Sequence, residues 1–208
     1  MKAIVLVDIQ NDFLPTGALP VPRGDEVVAV ANQVSPRFDL VVATQDWHPA
    51  DHGSFAVNHP GKKPGEVIDL HGLRQILWPV HCVQGTRGAE FAPGLDTSRV
   101  ARVFRKGTDA AIDSYSGFFD NGHRRSTGLG EYLRERQVDE VFVLGLATDY
   151  CVNFTVLDAV QCFCLRTTLI EDGSRGVNLR PGDGDAAVDG MRQAGVRVLG
   201  STDLLAEA

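Results

Sequence analysis

The sequence contains no long hydrophobic run, which argues against a membrane-spanning helix. The apolar segment at residues 3–7 ends at Asp8, whereas a transmembrane helix needs about 20 apolar residues. The segment is also too short for the core of a secretory signal peptide, and no small-residue cleavage site follows it. We therefore expect a soluble, cytoplasmic protein in which residues 3–7 form a buried strand.

Cysteine is scarce, with four residues in a chain of 208. A chain of this length can bury a large core without disulfide bonds, so we expect reduced thiols at Cys82, Cys151, Cys162 and Cys164. Cys162 and Cys164 have C-x-C spacing, but no second cysteine pair lies nearby to complete a zinc site. We expect these two thiols to serve in packing.

Positive charge is in deficit, and the formal net charge is -7. A chain of this charge repels the phosphate backbone of nucleic acids, which argues against a nucleic-acid partner. The nucleotide-binding patterns G-x-G-x-x-G after the first strand and G-x-x-x-x-G-K-[ST] are also missing. With 43% hydrophobic residues and neither repeats nor linkers, residues 1–208 are expected to form one domain.

Short apolar runs rich in β-branched residues alternate with stretches of helical periodicity. The runs predict strands at residues 3–7, 40–44, 100–104, 141–144, 163–170 and 196–199. Helices are predicted at residues 26–34, 129–136, 150–160 and 185–194, the last of them ended by Gly195. Near-continuous apolar strands separated by helices indicate an α/β fold, doubly wound, with a mostly parallel sheet and helices on both faces.

Two segments show little regular periodicity. Residues 47–98 are rich in Pro, Gly and His and predict a long loop region of the kind that often carries function. Residues 172–184 mix Gly, Ser, Asn, Asp and Pro and predict a mobile loop before the last helix.

Four reactive side chains follow the first four predicted strands. Asp8 follows the first strand, Asp46 the second and Lys106 the third, and Cys151 lies just past the loop after the fourth. In an open parallel sheet, ligands bind beyond the carboxyl ends of the strands. These four groups are therefore expected to converge at one edge.

Cys151 is a candidate nucleophile because it should lie in the first turn of a helix. The free backbone N–H groups and the dipole there are expected to lower the thiol pKa and to stabilise an oxyanion. Asp8 could act as the general base, and Lys106 could neutralise the charges of both. Each residue has an alternative: a buried structural thiol for Cys151, a turn-capping carboxylate for Asp8 and a solvated cation for Lys106.

A second group of polar residues suits a metal ion. Asp46 and His48 alternate along an extended segment, which places both side chains on one side, and His81 follows later in the chain. One carboxylate and two imidazoles suit zinc, manganese or iron(II). His52 could be a fourth ligand or a surface histidine, and the whole set could instead be a hydrogen-bonded loop cluster.

Aromatic residues near these groups could form a slot for a flat ring. Phe13, Trp78 and Tyr115 are the candidates, although aromatic residues beside a site also serve as core or wall.

Seven segments together resemble the nicotinamidases (pyrazinamidases) of the isochorismatase-like hydrolase superfamily. The resemblance covers nearly the whole chain. The matching segments, in the order of the family, are VDIQNDF (7–13), QDWHP (45–49), HGSF (52–55), WPVHC (78–82), KG (106–107), DSYSGF (113–118) and GLATDYCV (145–152).

The resemblance implies the isochorismatase-like hydrolase fold and a catalytic triad of Asp8, Lys106 and Cys151. It also implies a cis peptide before Ala147, with the backbone amides of Ala147 and Cys151 forming the oxyanion hole. The implied reaction converts nicotinamide to nicotinate and ammonia through a thioester on Cys151, with pyrazinamide as a further substrate and a role in NAD salvage.

The resemblance further implies a divalent metal ion, most often zinc, bound by Asp46, His48 and His81. The ion would orient the pyridine ring, which Phe13 and Trp78 would flank. The spacing from His48 to His52 differs among family members, so the resemblance leaves open whether there is a fourth protein ligand. It also leaves open whether the metal is manganese or iron instead of zinc, whether the protein forms a homo-oligomer, and how broad its range of substrates is.

Two other functions were weighed. An amidohydrolase of the same superfamily, such as a carbamoyl-amide hydrolase, would share the triad but generally lacks the metal ligands, and an isochorismatase proper would lack the cysteine nucleophile. A nucleotide-binding module or a protein that binds without catalysis would need no triad. An assay of ammonia release separates these possibilities.

Overall fold

The computed structural model describes residues 1–206, so residues 207 and 208 of the predicted domain lie outside the described part. Within it, the strands are β1 (Lys2–Val7), β2 (Leu40–Asp46), β3 (Val67–Leu70), β4 (Leu73–Ile76), β5 (Val100–Lys106), β6 (Glu140–Leu146), β7 (Arg166–Arg175) and β8 (Arg197–Leu199). The α-helices are α1 (Glu26–Val34), α2 (Leu129–Glu135), α3 (Asn153–Gln161), α4 (Asp183–Gln193) and α5 (Ser201–Ala206). None of these helices is long and apolar enough to cross a membrane.

Six strands form one parallel sheet in the order β5-β2-β1-β6-β7-β8. The chain builds outward from β1 through β2 to β5, and then returns to the other side of β1 to add β6, β7 and β8. The strand order therefore reverses between β1 and β6, which is where open α/β sheets bind their ligands. This arrangement confirms the predicted doubly wound parallel fold.

Both faces of the sheet are covered by helices, because successive strand residues point to opposite faces. In β1, Ile4 and Leu6 pack in one apolar layer with residues of α1 and α5. Ala3, Val5 and Val7 pack in the opposite layer with residues of α2, α3 and α4. The two layers explain why β1 is a continuous apolar run rather than an alternating one.

The carboxyl ends of the central strands bring the predicted polar groups to one edge. Asp46 and Lys106 are the last residues of β2 and β5 and pair directly in the sheet register. Asp8 follows β1 with a left-handed backbone (φ 49°), and a cis peptide joins Leu146 to Ala147 after β6, as the family resemblance implies.

A glycine permits the close approach of β6 to β1 near this edge. Gly145 has φ 131°, and a Cβ there would lie 2.1 Å from the carbonyl oxygen of Val7. Any side chain at this position would push apart the two strands that carry Asp8 and the segment leading to Cys151.

Several predicted boundaries were wrong, each for a local reason. β7 begins at Arg166 rather than at 163, because α3 ends in a turn in which Cys164 has φ 53°. β7 also extends to Arg175, into the segment predicted to be a loop. Cys162 and Cys164 are exposed, so the expected packing role for these thiols was wrong.

The region predicted to be a long loop contains regular structure. β3 and β4 form an antiparallel hairpin, and isolated bridges join His48 to Val83 and Phe55 to Trp78. These bridges hold the segment bearing His48 beside the segment bearing His81. The short helix α5 was not predicted.

Candidate active site

Lys106 lies at the centre of a buried charge cluster. Its ammonium is 2.8 Å from Asp8 Oδ2, 2.5 Å from Asp46 Oδ1 and 3.3 Å from Cys151 Sγ. It also donates to the carbonyl oxygen of Ser114 at 2.9 Å. An ammonium has three protons for these four neighbours, so the contact with sulfur competes with the others. The residue is only 2% exposed, and the solvated alternative for Lys106 was wrong.

Burial lowers the pKa of Lys106, but the negative charges of Asp46 and Asp8 outweigh this effect and hold the pKa well above its usual value. The pKa of Asp46 is shifted in the opposite direction. Burial raises its pKa, yet the charges of Lys106 and His48 outweigh burial and hold the pKa well below its usual range. Lys106 and Asp46 therefore form a permanently charged pair.

Asp8 is completely buried and keeps one oxygen available. Thr44 Oγ1 donates to Asp8 Oδ1 at 2.6 Å. Oδ2 is within ion-pair distance of Lys106 but has no hydrogen bond of good geometry among the described residues. Burial raises the pKa of Asp8, Lys106 opposes this rise, and Asp46 adds to it. The free oxygen and the raised pKa suit a group that accepts and returns a proton.

Cys151 lies in a π-helical turn, Thr148–Val152, that leads directly into α3. Its thiol is buried against the sheet edge rather than open to solvent. Burial raises the pKa of this thiol well above its usual value, although Lys106 opposes the rise. The expected lowering of the pKa by the helix N-terminus was therefore wrong, because desolvation outweighs the favourable charges.

Asp8 and Cys151 belong to the same buried group of ionisable side chains. Their oxygen and sulfur atoms lie within 4.8 Å of each other in a group that also includes Asp46. Burial raises the pKa values of both Asp8 and Cys151, the negative charge of Asp46 adds to the rise in each case, and Lys106 opposes it. The site therefore disfavours a carboxylate at Asp8 and a thiolate at Cys151 at the same time.

The predicted metal-binding residues also come together. His48 Nε2 is 3.5 Å and His81 Nε2 is 3.8 Å from the same oxygen, Asp46 Oδ2. All three residues are buried, and one donor atom from each lies within 4.8 Å of the other two. Asp46 thus offers Oδ1 to Lys106 and Oδ2 to the histidines.

The surrounding backbone fixes the orientation of both imidazoles. His48 Nδ1 is 2.8 Å from the carbonyl oxygen of Gly107, and His81 Nδ1 is 2.8 Å from that of Pro79. A carbonyl partner at Nδ1 leaves Nε2 as a free ligand atom, which is the usual outer shell of a metal-bound histidine.

Gly107 is required beside His48. It has φ 63°, and a Cβ there would lie 2.3 Å from Cε1 of the His48 ring. The glycine lets its backbone approach the imidazole edge closely.

The pKa values of the two histidines are shifted in opposite directions. Burial lowers the pKa of His48, but the neighbouring Asp46 outweighs burial and raises it above its usual value. Burial and the charge of His48 lower the pKa of His81 to about 4. A metal ion binds the neutral form of each imidazole, so the raised pKa of His48 opposes binding and the lowered pKa of His81 favours it.

His52 lies beside this group rather than within it. Its ring centroid is 4.3 Å from that of His48, and its Nδ1 is 2.7 Å from Ser54 Oγ. It groups with His48 and Asp113 as a second set of possible ligands. Its buried Nε2 has no hydrogen bond of good geometry among residues 1–206.

A cavity of about 30 Å³ separates the thiol from the histidines. Its lining comprises part of the charged cluster, an apolar wall and all three predicted aromatic residues: Phe13, Leu19, Asp46, His48, Trp78, His81, Asp113, Tyr115, Ala147, Tyr150, Cys151 and Val177. Tyr115 and Tyr150 also line an adjoining groove of about 780 Å³. Ligand pockets usually measure roughly 300–1,000 Å³, so side chains at the mouth must move before a pyridine ring can enter the inner cavity.

Several site residues were missed by the sequence analysis. Tyr150 packs edge-on against Trp78 with ring centroids 4.8 Å apart, and Asp113 lines the cavity. Gln10 Nε2 donates to the carbonyl oxygen of Asp46, and Gln10 Oε1 accepts from the Asp46 amide, both at 2.8 Å. Gln10 and Asp113 belong to matching segments of the family resemblance, which was the available signal.

An open parallel sheet with a buried cysteine, lysine and aspartate at its carboxyl edge is the arrangement of an α/β enzyme. Comparison with known families agrees, because the isochorismatase domain matches residues 2–203. The chain belongs to the isochorismatase family, as the sequence predicted.

Individual relatives are similar over nearly their whole length. The nicotinamidase of Escherichia coli strain K12 is 50% identical over 198 residues, which cover 93% of this chain and 92% of that protein. The structure of the Acinetobacter baumanii nicotinamidase and pyrazinamidase has a TM-score of 0.94 and 48% identity, covering 98% of this chain and 97% of that one. The pyrazinamidase of Pyrococcus horikoshii, solved in complex with zinc, has a TM-score of 0.76 and 34% identity, covering 96% and 98%. The predicted resemblance to nicotinamidases and pyrazinamidases is thereby confirmed.

Proposed function

We propose that this protein is a nicotinamidase that hydrolyses nicotinamide to nicotinate and ammonia, with Cys151 as nucleophile, Asp8 as proton carrier and Lys106 as the cation between them. The observation that carries the proposal is the contact of one buried ammonium with Asp8, Asp46 and Cys151 beside two histidines. The nicotinamidase activity of close relatives supports the same conclusion.

In the first half of the reaction, the thiol proton moves to Asp8 and the sulfur attacks the carboxamide carbon. The carbonyl oxygen gains negative charge as the carbon–sulfur bond forms. We assign its stabilisation to the backbone amides of Ala147 and Cys151, since both residues line the cavity. Asp8 then gives the proton to nitrogen, the carbon–nitrogen bond breaks, and ammonia leaves a thioester on Cys151.

In the second half, a water molecule attacks the thioester carbon while Asp8 takes a proton from that water. The carbon–sulfur bond breaks, nicotinate is released, and the proton returns to sulfur. Lys106 keeps its charge throughout, because its pKa lies well above the usual value. Its role is to stabilise whichever of Asp8 and Cys151 carries the negative charge at each step.

The residues of the second group fit a divalent ion. One carboxylate and two imidazoles with their Nδ1 atoms engaged by carbonyls form a suitable donor set at Asp46, His48 and His81. The Asp8, Asp46 and Cys151 group is not an alternative, because the Lys106 ammonium already neutralises it. When bound, the ion, with zinc as first choice and manganese or iron as alternatives, supplies a Lewis acid that orients the pyridine nitrogen.

The cavity walls suit a flat aromatic amide. Phe13 and Trp78 are buried at its sides, and Tyr115 OH accepts a hydrogen bond from Trp78 Nε1 at 3.1 Å, which holds two of the walls together. We propose that these residues flank the ring, that pyrazinamide is also a substrate, and that the reaction serves the salvage of nicotinamide for NAD synthesis.

The decisive experiment measures ammonia released from nicotinamide by the purified protein and by the variant Cys151→Ala. We expect the variant to be inactive while it still binds zinc, since the residues proposed as ligands are unchanged. Cys164→Ala is the matched control, because this thiol is exposed and outside the cavity, and it should retain wild-type activity.

Two further results would decide between the candidates. Activity on a carbamoyl amide without activity on nicotinamide would favour the rival amidohydrolase. Chelation should abolish turnover of nicotinamide, and readdition of zinc should restore it. Undiminished turnover by a verified metal-free protein would contradict the positioning role assigned to the ion.

A further inference from the structure

A second cluster of potential metal ligands lies at the C-terminal end of α3, outside the active-site cavity. We call His123, Asp158 and Cys162 the outer cluster. Asp158 belongs to α3, Cys162 follows the end of that helix, and His123 comes from the segment between β5 and α2. None of the three lines the active-site cavity, so the outer cluster plays no part in the proposed reaction.

The donor atoms of the outer cluster converge on one carboxylate oxygen. His123 Nε2 is 3.3 Å from Asp158 Oδ1, and Cys162 Sγ is 3.7 Å from the same atom. One donor atom from each residue lies within 4.8 Å of the other two. Asp158 and Cys162 are four residues apart, which places them on the same side of the helix end.

The imidazole is held in place by a stacked pair of rings. His123 stacks on Phe119 with centroids 4.8 Å apart and an interplanar angle of 20°. Phe119 in turn stacks on Phe163, next to Cys162 in the chain. The ring of His123 is thus positioned before any ligand arrives, which reduces the entropy lost on binding.

Asp158 provides an independent indication that a cation is needed. The residue is 7% exposed, and its Oδ2 atom is buried without a hydrogen-bond partner among residues 1–206. A buried carboxylate oxygen left without a partner is unfavourable, whereas a cation bound to the same carboxylate would compensate it directly. The contact with half-exposed His123 engages only Oδ1.

We propose that the outer cluster is a second metal site, which binds a zinc-type divalent cation through the thiolate of Cys162, the imidazole of His123 and the carboxylate of Asp158. Thiolate and imidazole select borderline ions such as Zn²⁺ over Mg²⁺ or Ca²⁺. Three protein ligands leave the remaining position to water. On binding, Cys162 releases its thiol proton to solvent and the metal–sulfur bond forms.

A metal ion bound to the outer cluster would link two segments of the chain that also contribute residues to the active site. α3 follows directly on the turn that contains Cys151, and the segment bearing His123 continues from Asp113 and Tyr115, which line the cavity. A metal bridge between His123 and Cys162 would restrain both. The inference does not depend on the proposed activity.

The test uses Co²⁺ and Zn²⁺ as probes of the full chain after removal of bound metal. We expect wild-type protein to bind two equivalents of Co²⁺, one of them with a thiolate-to-cobalt charge-transfer band in the near ultraviolet. Cys162→Ser and His123→Gln should each weaken one equivalent of Zn²⁺ at least about 100-fold, more than loss of an outer-shell partner. Cys162→Ser should also remove the band.

Matched variants separate this site from its surroundings. Cys164→Ser changes an exposed thiol two residues away, and Cys151→Ser changes the sulfur of the catalytic cluster, and both should retain the band. Unchanged ammonia release by Cys162→Ser and His123→Gln would show that these variants are folded. Absence of the charge-transfer band from the wild type, or a band retained by Cys162→Ser, would overturn the proposal, whichever number of equivalents the protein binds.

Discussion

Replacing Lys106 with methionine removes the ammonium between two buried carboxylates while keeping a side chain of similar length. Losing one partner of a buried ion pair costs about 3–5 kcal/mol. Lys106 contacts Asp8 and Asp46 at 2.8 and 2.5 Å, but one of the two can take up a proton once the cation is gone. We therefore expect the variant to lose about 3–5 kcal/mol of unfolding free energy at neutral pH, not twice that amount.

The loss of unfolding free energy in Lys106→Met should depend on pH in a defined direction. In the wild type, the pKa of Asp46 lies below its unfolded value of about 3.9, so its stabilisation is present above that pH and is lost as pH falls. In the variant, burial without the cation raises the carboxyl pKa values above the unfolded value, so stability is lost as pH rises. The difference between the two proteins should therefore widen from about pH 4 to pH 7.

Urea unfolding followed by tryptophan fluorescence, with a chelator present so that no bound ion offsets the lost charge, measures this difference. Lys62→Met is the control, because Lys62 pairs with Glu66 at 2.9 Å but the two side chains are 42% and 41% exposed. Its loss should stay below about 1 kcal/mol. Equal losses for the two variants, or a Lys106→Met deficit that does not change with pH, would refute the burial argument.

Three further predictions concern the site. Asp8→Asn should lower kcat by about 10²–10⁴ through loss of proton transfer, with zinc stoichiometry unchanged, and near-normal ammonia release would contradict the assignment. Gly107→Ala should weaken zinc binding at least roughly tenfold, because its Cβ would displace the His48 ring. Calorimetric titration compares the zinc affinity of this variant with that of the control Gly61→Ala, because Gly61 has φ 79° but a Cβ there would have no neighbouring atom within 4 Å. Equal zinc affinities for the two variants would contradict the role assigned to Gly107. Zinc affinity should rise about tenfold per pH unit until His48 is deprotonated, since its pKa is raised and it must release a proton to bind. Calorimetric titrations in buffers of different ionisation enthalpy measure the number of protons released when zinc binds. If no proton is released below neutral pH, the proposed deprotonation of His48 is wrong.

The parallel sheet was predictable because its signal is local. β1 and β6 are short apolar runs, α1 was predicted at its observed bounds, and polar residues follow the strands directly. The carboxyl ends of parallel strands meet at one edge, so placing Asp8, Asp46 and Lys106 together needed no knowledge of side-chain packing.

The details of the site were less accessible, because they depend on burial and on long-range contacts. Cys151 was expected to have a lowered pKa from its place near a helix start, but the depth of the thiol decides the balance and the pKa is raised. The sequence around Lys106 favoured a solvated cation. The residue is instead 2% exposed, because its partners Asp8, Asp46 and Cys151 come from distant parts of the chain. The outer cluster likewise joins His123 to Cys162, which have no pattern linking them in sequence.

The sequence by itself determined the fold class, the order of the six sheet strands along the chain and which polar residues stand at strand ends, because backbone periodicity and strand direction are properties of neighbouring residues. Only the tertiary structure decided which charges are desolvated, which of them contact one ammonium and which histidines face one carboxylate. Those outcomes depend on distances of a few ångströms between segments that are far apart in the chain.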